Sequence, residues 1–336
     1  MRKLVSIIAA ATIVLIALTA SGAVGSSGIV TAQEVAVVPS PPEQQVAAVE
    51  TTSGPSSETG ISATTAQRTA TVDRWGVLRI DVPAAWDAGE TFAPVLVAVI
   101  DTGIDPCAPY ADRVKAGIDF SGSGNVKDEH GHGTHMAGTI AAIAPNASFV
   151  NLKVADKRGR CETDTVAKAI RWAADRGAQI INVSLEVEPT DALQAAVEHA
   201  GNKGALVIAA AGNSGTSSPA YPAAYVDAMA VAGTNENDGL AVLSNYGDWV
   251  DIAAPGFKVY SELPGGKYGL ETGTSPAAAH VSGVAALALG VAQDTNGNGH
   301  TTDEVRCAIE ASAGPLQQSG TGSGIVNALG TIQSLC

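Results

Sequence analysis

The chain is predicted to be an α/β protein of three layers, a mostly parallel central sheet with helices on both faces. Two patterns and one composition predict it. Short apolar runs recur along the chain, as buried parallel strands require: VLVAVI (Val95–Ile100), SFVNLKV (Ser148–Val154), QIINVS (Gln179–Ser184), ALVIAAA (Ala205–Ala211) and AMAVAGT (Ala228–Thr234). Helical stretches stand between them, and alternation of this kind implies a parallel sheet covered on both faces. An apolar content of 46% against 15% charged residues supplies the core such a sheet needs.

Taken in order, the elements begin with a leader. Arg2 and Lys3 precede LVSIIAAATIVLIAL, an apolar run of signal-peptide length, and small residues follow, so residues 1–23 read as a secretory signal. The chain is therefore expected to be exported to the extracellular space, with no stable membrane insertion once the signal is removed. An uncleaved anchor is the alternative. Residues 24–72 are rich in Ser, Thr, Pro, Gly, Gln and Ala, lack apolar periodicity, and read as a disordered linker or short pro-region. Residues 73–336 read as the folded domain, beginning near RWGVLRIDVPAAW. Within it, DTVAKAIRWAADRG stops at Gly177 and TDALQAAVEHAGNKG stops at Gly204, where a glycine ends each helix. HGTHMAGTIAAIA and the long small-residue stretch after Ser275 are two further helices, both suited to close packing on the sheet.

The net charge of −14 argues against a nucleic-acid partner, which would be repelled at long range. Cys107, Cys161, Cys307 and Cys336 suit an oxidising compartment and can pair in three ways. None sits in a zinc-ligand spacing.

Three residues carry chemistry by position. Asp101 ends the first strong strand, where a charged residue is expected to be exposed at the mouth of the inferred sheet, among its working loops. A turn or helix cap is the plainer reading of an Asp before Thr-Gly. His132 opens a helix and His135 follows one turn on; a shared metal is an alternative, but no Glu accompanies the pair as in HExxH. Ser275 precedes a helix, where a serine is ordinarily an N-cap. What favours chemistry is that one Asp, one His and one Ser share one edge of the sheet.

VAVIDTGID, HGTHMAGT, AAAGNSG and GTSPAAAHVSG, in that order, resemble the signature segments of subtilisin-like serine proteases, and the likeness runs from about Trp75 to the C-terminus. The order Asp, His, Ser separates this family from others that build the same triad. The resemblance implies a secreted serine endopeptidase acting on protein or peptide substrates, with Ser275 as nucleophile, His132 as general base titrating near an ordinary imidazole, and Asp101 orienting it. It implies Asn213 and the Ser275 backbone N–H as oxyanion donors. His130, His135 and His280 are bystanders on this reading. Substrate would lie extended along residues 156–161 and along Ser184, Leu185 and Glu186, with Gly212 and Asn213 closing the pocket. The Tyr221–Pro222 bond is expected to be cis. Neighbouring strands imply a Cys107–Cys161 bridge, leaving Cys307 for Cys336. A monomer requiring no cofactor is expected.

The chain departs from the family pattern at four places. Pro276 and Ala279 replace the usual Met and Pro, though a proline in a first helical turn keeps the Ser275 N–H intact. Glu186 replaces a glycine and would favour a basic side chain, restrict the pocket, or turn to solvent. TIAAIAPNASFVNLKV is too short for the family's calcium loop; DTNGNGHTTDEV (Asp294–Val305) has EF-hand-like offsets but closes on Val305, and otherwise reads as a polar turn before a helix capped by Thr301 and Glu304. The stretch before Trp75 is too short and polar for a folded inhibitory pro-domain. The altered serine segment also suggests a catalytically silent peptide-binding relative as a second reading, and an esterase using the same triad is a third.

Overall fold

Residues 75–88 and 91–335 are described by the computed structural model, with the backbone pairing of two short strands, β1 (Val30–Thr31) and β2 (Ala36–Val37). The predicted leader and Cys336 lie outside the described residues; β1 and β2 fall within the stretch read as linker or pro-region. The domain opens with α1 (Trp75–Arg79) and α2 (Val82–Asp87), then β3 (Val95–Asp101), β4 (Val114–Asp119) and α3 (His132–Ile143). It continues through β5 (Ala147–Lys153), β6 (Arg160–Cys161), α4 (Thr163–Asp175), β7 (Ile180–Val183), α5 (Asp191–Asn202), β8 (Leu206–Ala210) and β9 (Ala228–Thr234). β10 (Ile252–Pro255), β11 (Val259–Leu263), β12 (Lys267–Glu271), α6 (Thr274–Leu289), α7 (Thr302–Ala311) and α8 (Ala328–Leu335) complete it.

Seven strands form one sheet in the order β10-β9-β8-β7-β3-β5-β4, parallel at every pairing. The predicted three-layer α/β class is the fold found. The order reverses beside β3, because β4 and β5 lie on one side of it and β7 to β10 on the other. A reversal opens a crevice at the carboxyl ends of the strands. Asp101 is the last residue of β3, so topology alone puts its carboxylate at that crevice.

Strand alternation sorts the helices between the faces, since successive side chains point to opposite sides. Val95, Val97 and Val99 of β3 belong to the core with α3 and α6; Ala98 and Ile100 belong to the core with α4 and α5. β8 repeats this, with Leu206, Ile208 and Ala210 on the α6 side and Val207 and Ala209 on the other. α6 is buried along all sixteen residues. A helix buried all round needs small side chains to be approached from every direction, and six of its residues are alanine. Gly283 faces α3 so closely that a Cβ there would lie 2.8 Å from Ile143 Cβ.

Elements not anticipated are those without an apolar run. β4 (VKAGID) is an edge strand with three exposed residues. β11 and β12 form an antiparallel hairpin turning at Pro264-Gly265-Gly266, where both glycines have positive φ. β10 is the other edge and ends at Pro255, where a missing N–H breaks no ladder. β1 adds antiparallel to β6, and β2 adds antiparallel to β12 at Gly269–Leu270. The Tyr221–Pro222 bond is cis, as expected. Among the described residues no helix is long and apolar enough to cross a membrane.

Gly283→Val is expected to destabilise the fold by about 1–3 kcal/mol through overpacking of α3 against α6, measured as a lower midpoint in denaturant at unchanged slope.

Candidate active site

The crevice beside β3 is built from its loops inward. Asp128, buried in the segment leading to α3, accepts five hydrogen bonds. Its Oδ1 takes the N–H groups of His130 (2.9 Å) and Gly131 (2.8 Å) and the Thr102 hydroxyl (2.9 Å). Its Oδ2 takes the Thr134 N–H (2.9 Å) and hydroxyl (2.6 Å). An anion there satisfies helix-start donors and offsets the positive end of the helix dipole. Thr102 Oγ1 in turn accepts the Gly133 N–H at 2.9 Å. The end of β3 and the start of α3 are thereby tied, and so tightly that a Cβ on Gly133 would lie 2.2 Å from Gly103 O.

This tie sets the first functional pair. His132 Nδ1 stands 2.8 and 2.9 Å from the two oxygens of Asp101, which also accepts the Thr102 N–H at 2.7 Å. A carboxylate only accepts, so Nδ1 carries the ring proton and Nε2 is the basic nitrogen. Both residues are buried, Asp101 completely, which corrects the expectation of a carboxylate exposed at the sheet mouth. Burial opposes charge on His132, but Asp101, Glu271 and Asp128 outweigh it and raise the imidazolium to about 9. The base is thus well above an ordinary imidazole, also contrary to expectation.

Ser275 is the second residue of α6, inside the first turn, with Pro276 the third residue of the helix. The Ser275 hydroxyl donates to Ser184 O at 3.1 Å, and the Ser184 hydroxyl donates to Ser275 O at 3.0 Å. Behind this exchange, Asn182 Nδ2 donates to Ser184 Oγ (3.0 Å) and Ser282 Oγ donates to Asn182 Oδ1 (2.9 Å). The serine is therefore registered against the end of β7. His132 Nε2 has no hydrogen-bond partner. The Asp–His half of the expected relay is assembled, and the Ser–His half is not made in this state.

Asn213 follows β8. Its Oδ1 accepts the Thr274 N–H at 2.8 Å and the Thr274 hydroxyl at 3.2 Å, while Thr274 Oγ1 accepts the Gly212 N–H at 3.0 Å. Because Thr274 N is a donor, the amide oxygen must face it, and Nδ2 points the other way. The loop is held by buried Asn245, whose Oδ1 accepts from Ser214 N (3.0 Å) and Thr216 N (3.2 Å). Ser275 N–H belongs to the first turn of α6, where helix N–H groups have no intrahelical partner.

Ser184 and Leu185 are buried, Glu186 partly so. The Glu186 side chain turns inward, not to solvent: a Cβ on Gly212 would lie 2.9 Å from Glu186 Oε2 and 2.5 Å from Asn245 Nδ2. Gly212 itself has a φ of 96°, which suits glycine. Burial and the neighbouring Glu188 raise the Glu186 carboxyl from its usual range. Glu186 makes no ion pair among the described residues.

The other histidines are engaged elsewhere. His135 is fully buried, its Nε2 3.0 Å from Val259 O, and burial with the neighbouring His132 holds it down at about 3. His280 Nδ1 lies 2.8 Å from Pro276 O. His130 lies beside the cleft with its ring 6.3 Å from that of His132. Among the described residues no three His, Cys, Asp or Glu side chains converge as metal ligands. In Asp294–Val305 the amide nitrogens of Asn296 and Asn298 turn to Asp303, and Val305, the last residue of the stretch, is buried in the core. Thr301 gives no side-chain cap to α7, and Glu304 instead accepts from Thr295 and Asn296 N–H.

The Cys107–Cys161 bridge is not formed; Cys107, Cys161 and Cys307 are free thiols, and Cys336 lies outside the described residues. The reason is layering. Cys161 packs into the core on the α4 side, whereas Ile104 and Ala108, flanking Cys107, pack into the core on the α3 side.

The fold and this geometry place the chain among known proteins. The subtilase family model matches residues 93–330. Thermitase from Thermoactinomyces vulgaris is 39% identical over 275 residues, 77% of this chain and 96% of that protein. Subtilisin BL from Lederbergia lenta is 43% identical over 225 residues, 63% of this chain and 82% of that protein. Among solved structures, a protease from Pseudoalteromonas arctica PAMC 21717 aligns at a TM-score of 0.70 with 28% identity, covering 79% of this chain and 97% of that one. The chain belongs to the subtilase family. It is a subtilisin-like serine endopeptidase.

Asp128, Asn182, Asn245 and Glu271 are site residues that sequence reasoning passed over. A polar residue inside an otherwise apolar strand, as Asn182 is in QIINVS, was the available signal.

With thiol reagent at pH 8, Cys107 is expected to be alkylated and Cys161, buried and pushed up to about 12, to be spared until the protein is unfolded; peptide mass mapping checks both.

Proposed function

We propose that Asp101, His132 and Ser275 form the relay of this endopeptidase, with Asn213 Nδ2 and the Ser275 N–H as its oxyanion donors. The single observation that carries this reading is the buried two-oxygen grip of Asp101 on His132 Nδ1, which leaves Nε2 as an unpartnered base in the crevice that Ser275 also lines. Apo catalytic hydrogen bonds are often loose and tighten with substrate. Rotation of Ser275 about χ1 from Ser184 O toward Nε2 completes the relay.

Hydrolysis then follows from the residues. His132 Nε2 takes the hydroxyl proton as Ser275 Oγ bonds to the scissile carbonyl carbon. The resulting oxyanion meets Asn213 Nδ2 and the Ser275 N–H, donors already oriented before charge develops. His132 then returns the proton to the leaving amine, the C–N bond breaks, and an ester remains on Ser275. Water gives a proton to Nε2, attacks the ester, and Ser275 recovers its hydrogen as the acid product leaves. Asp101 stabilises the imidazolium at each stage and stays ionised. Ser275, His132 and the attacking water account for every proton the reaction moves, so the reading requires no cofactor.

Substrate would bind as an added strand. The capacity of the cleft edges to take one is supported by the chain's own pairing: β1 runs antiparallel on β6, and β2 runs antiparallel on β12, whose last residue is four positions before Ser275. Glu186, an ionisable carboxyl beside Gly212 without a cation to match among the described residues, favours a basic side chain before the scissile bond. The leader of residues 1–23 supports export, as for the secreted enzyme the resemblance implies.

A fluorophosphonate is expected to label Ser275, and Ser275→Ala to abolish labelling. Asn213→Ala is expected to lower kcat by about 10²–10³, the size of loss for such a donor in subtilisin itself. In a diverse peptide pool, cleavage after Lys and Arg should dominate, and Glu186→Gln should erase that preference; the same cleavage profile in both proteins would remove Glu186 from the specificity pocket.

A further inference from the structure

Glu271 ends β12 with 7% of its surface exposed. Its Oε2 lies 3.9 Å from His132 Nε2 and 3.7 Å from His135 Nδ1. Three buried atoms of this cluster have no hydrogen-bond partner: His132 Nε2, His135 Nδ1 and Glu271 Oε1. Their neighbours fix the proton inventory. Val259 O can only accept, so His135 carries its proton on Nε2 and presents a lone pair at Nδ1. Asp101 likewise holds the His132 proton on Nδ1, so a base-ready His132 presents a lone pair at Nε2. A carboxylate facing two lone pairs in a buried space has no donor to receive. Two states relieve that conflict: a proton on Glu271, given to one imidazole, or a proton on His132 Nε2, making an ion pair.

Resting on the reading of His132 as the base, we propose that Glu271 is a positioning residue for it, a carboxyl set between two imidazoles that fixes the pH at which His132 is released to accept the Ser275 proton. His135, a bystander to the chemistry, serves as the neutral wall against which Glu271 is held. The groups facing Glu271 are His132 and His135 from α3, Asp101 from the end of β3 and Asp128 from the segment before α3; β11 offers the Val259 carbonyl to His135, and His280 of α6 acts on His135. Burial pushes Glu271 up to about 8 against the pull of His132. An anion on the Nε2 side stabilises the imidazolium, which raises the pH at which the free base accumulates. The pair titrates together, and removing the carboxyl charge lowers the His132 value while Asp101 and Asp128 still support it from the other side.

The test is the pH profile of kcat/KM from pH 5 to 11 for the unaltered protein, Glu271→Gln and Glu271→Leu. The acid limb is expected to lie near pH 9 in the unaltered protein. It should move down by at least about one unit in both variants, a roughly tenfold gain at pH 7 as a fraction of each protein's plateau. A limb at the same pH in all three proteins overturns the proposal. If neither variant folds, the low-field Nδ1 proton of His132 in the unaltered protein decides: an imidazolium persisting to about pH 9 supports the proposal, and its loss below pH 7 overturns it. Failure of fluorophosphonate to label Ser275 at any pH would instead sink the triad reading, a distinct outcome from labelling with an unmoved limb.

Discussion

The site depends on one arrangement, the Asp128 carboxylate tying the end of β3 to the start of α3. Without it the two residues that matter, Asp101 at the end of one element and His132 at the beginning of another, have no reason to meet at hydrogen-bond distance. The tie uses five acceptor contacts from a single buried side chain, seconded by Thr102. It is also why Gly133 must lack a side chain: the helix start lies against the carbonyl of Gly103. Sheet topology brings the strand end to the crevice, and this local network converts proximity into orientation.

A second network does for the serine what Asp128 does for the histidine. Asn182, Ser184, Ser275 and Ser282 exchange hydrogen bonds across the seam between β7 and α6. Every member is paired, which is the condition under which buried polar groups add rigidity. Thr274 plays a matching part for Asn213, since it sets which end of the amide faces the cleft. The resting Ser275 hydroxyl thus sits parked on the Ser184 carbonyl.

Much of this architecture could be read from the chain alone, for a physical reason. Strands buried on both faces, such as β3 and β8, must be apolar throughout, and helices that stop at glycine, as α4 and α5 do near Gly177 and Gly204, announce their ends. Asp101, His132, Ser275 and Asn213 stood in segments whose wording resembled a family. What escaped reading had no such local mark. β4 is an edge strand with exposed residues, and the β11–β12 hairpin lacks a long apolar run. The Cys107–Cys161 pairing failed because neighbouring strands do not imply neighbouring loops when one loop leaves toward each face. Asp128 and Glu271 are ordinary acidic residues in sequence; only the third dimension gives them two imidazoles and a helix start to act on.

The helix that carries Ser275 has consequences beyond the site. A protease's most concentrated potential substrate is another copy of itself, and cutting requires a stretch of chain that can be drawn out straight. α6 is enclosed along its whole length, so the amides beyond its first turn are expected to exchange with water chiefly when the domain opens. The serine proposed as nucleophile is therefore housed in a part of the chain that cannot be drawn out straight without opening the domain.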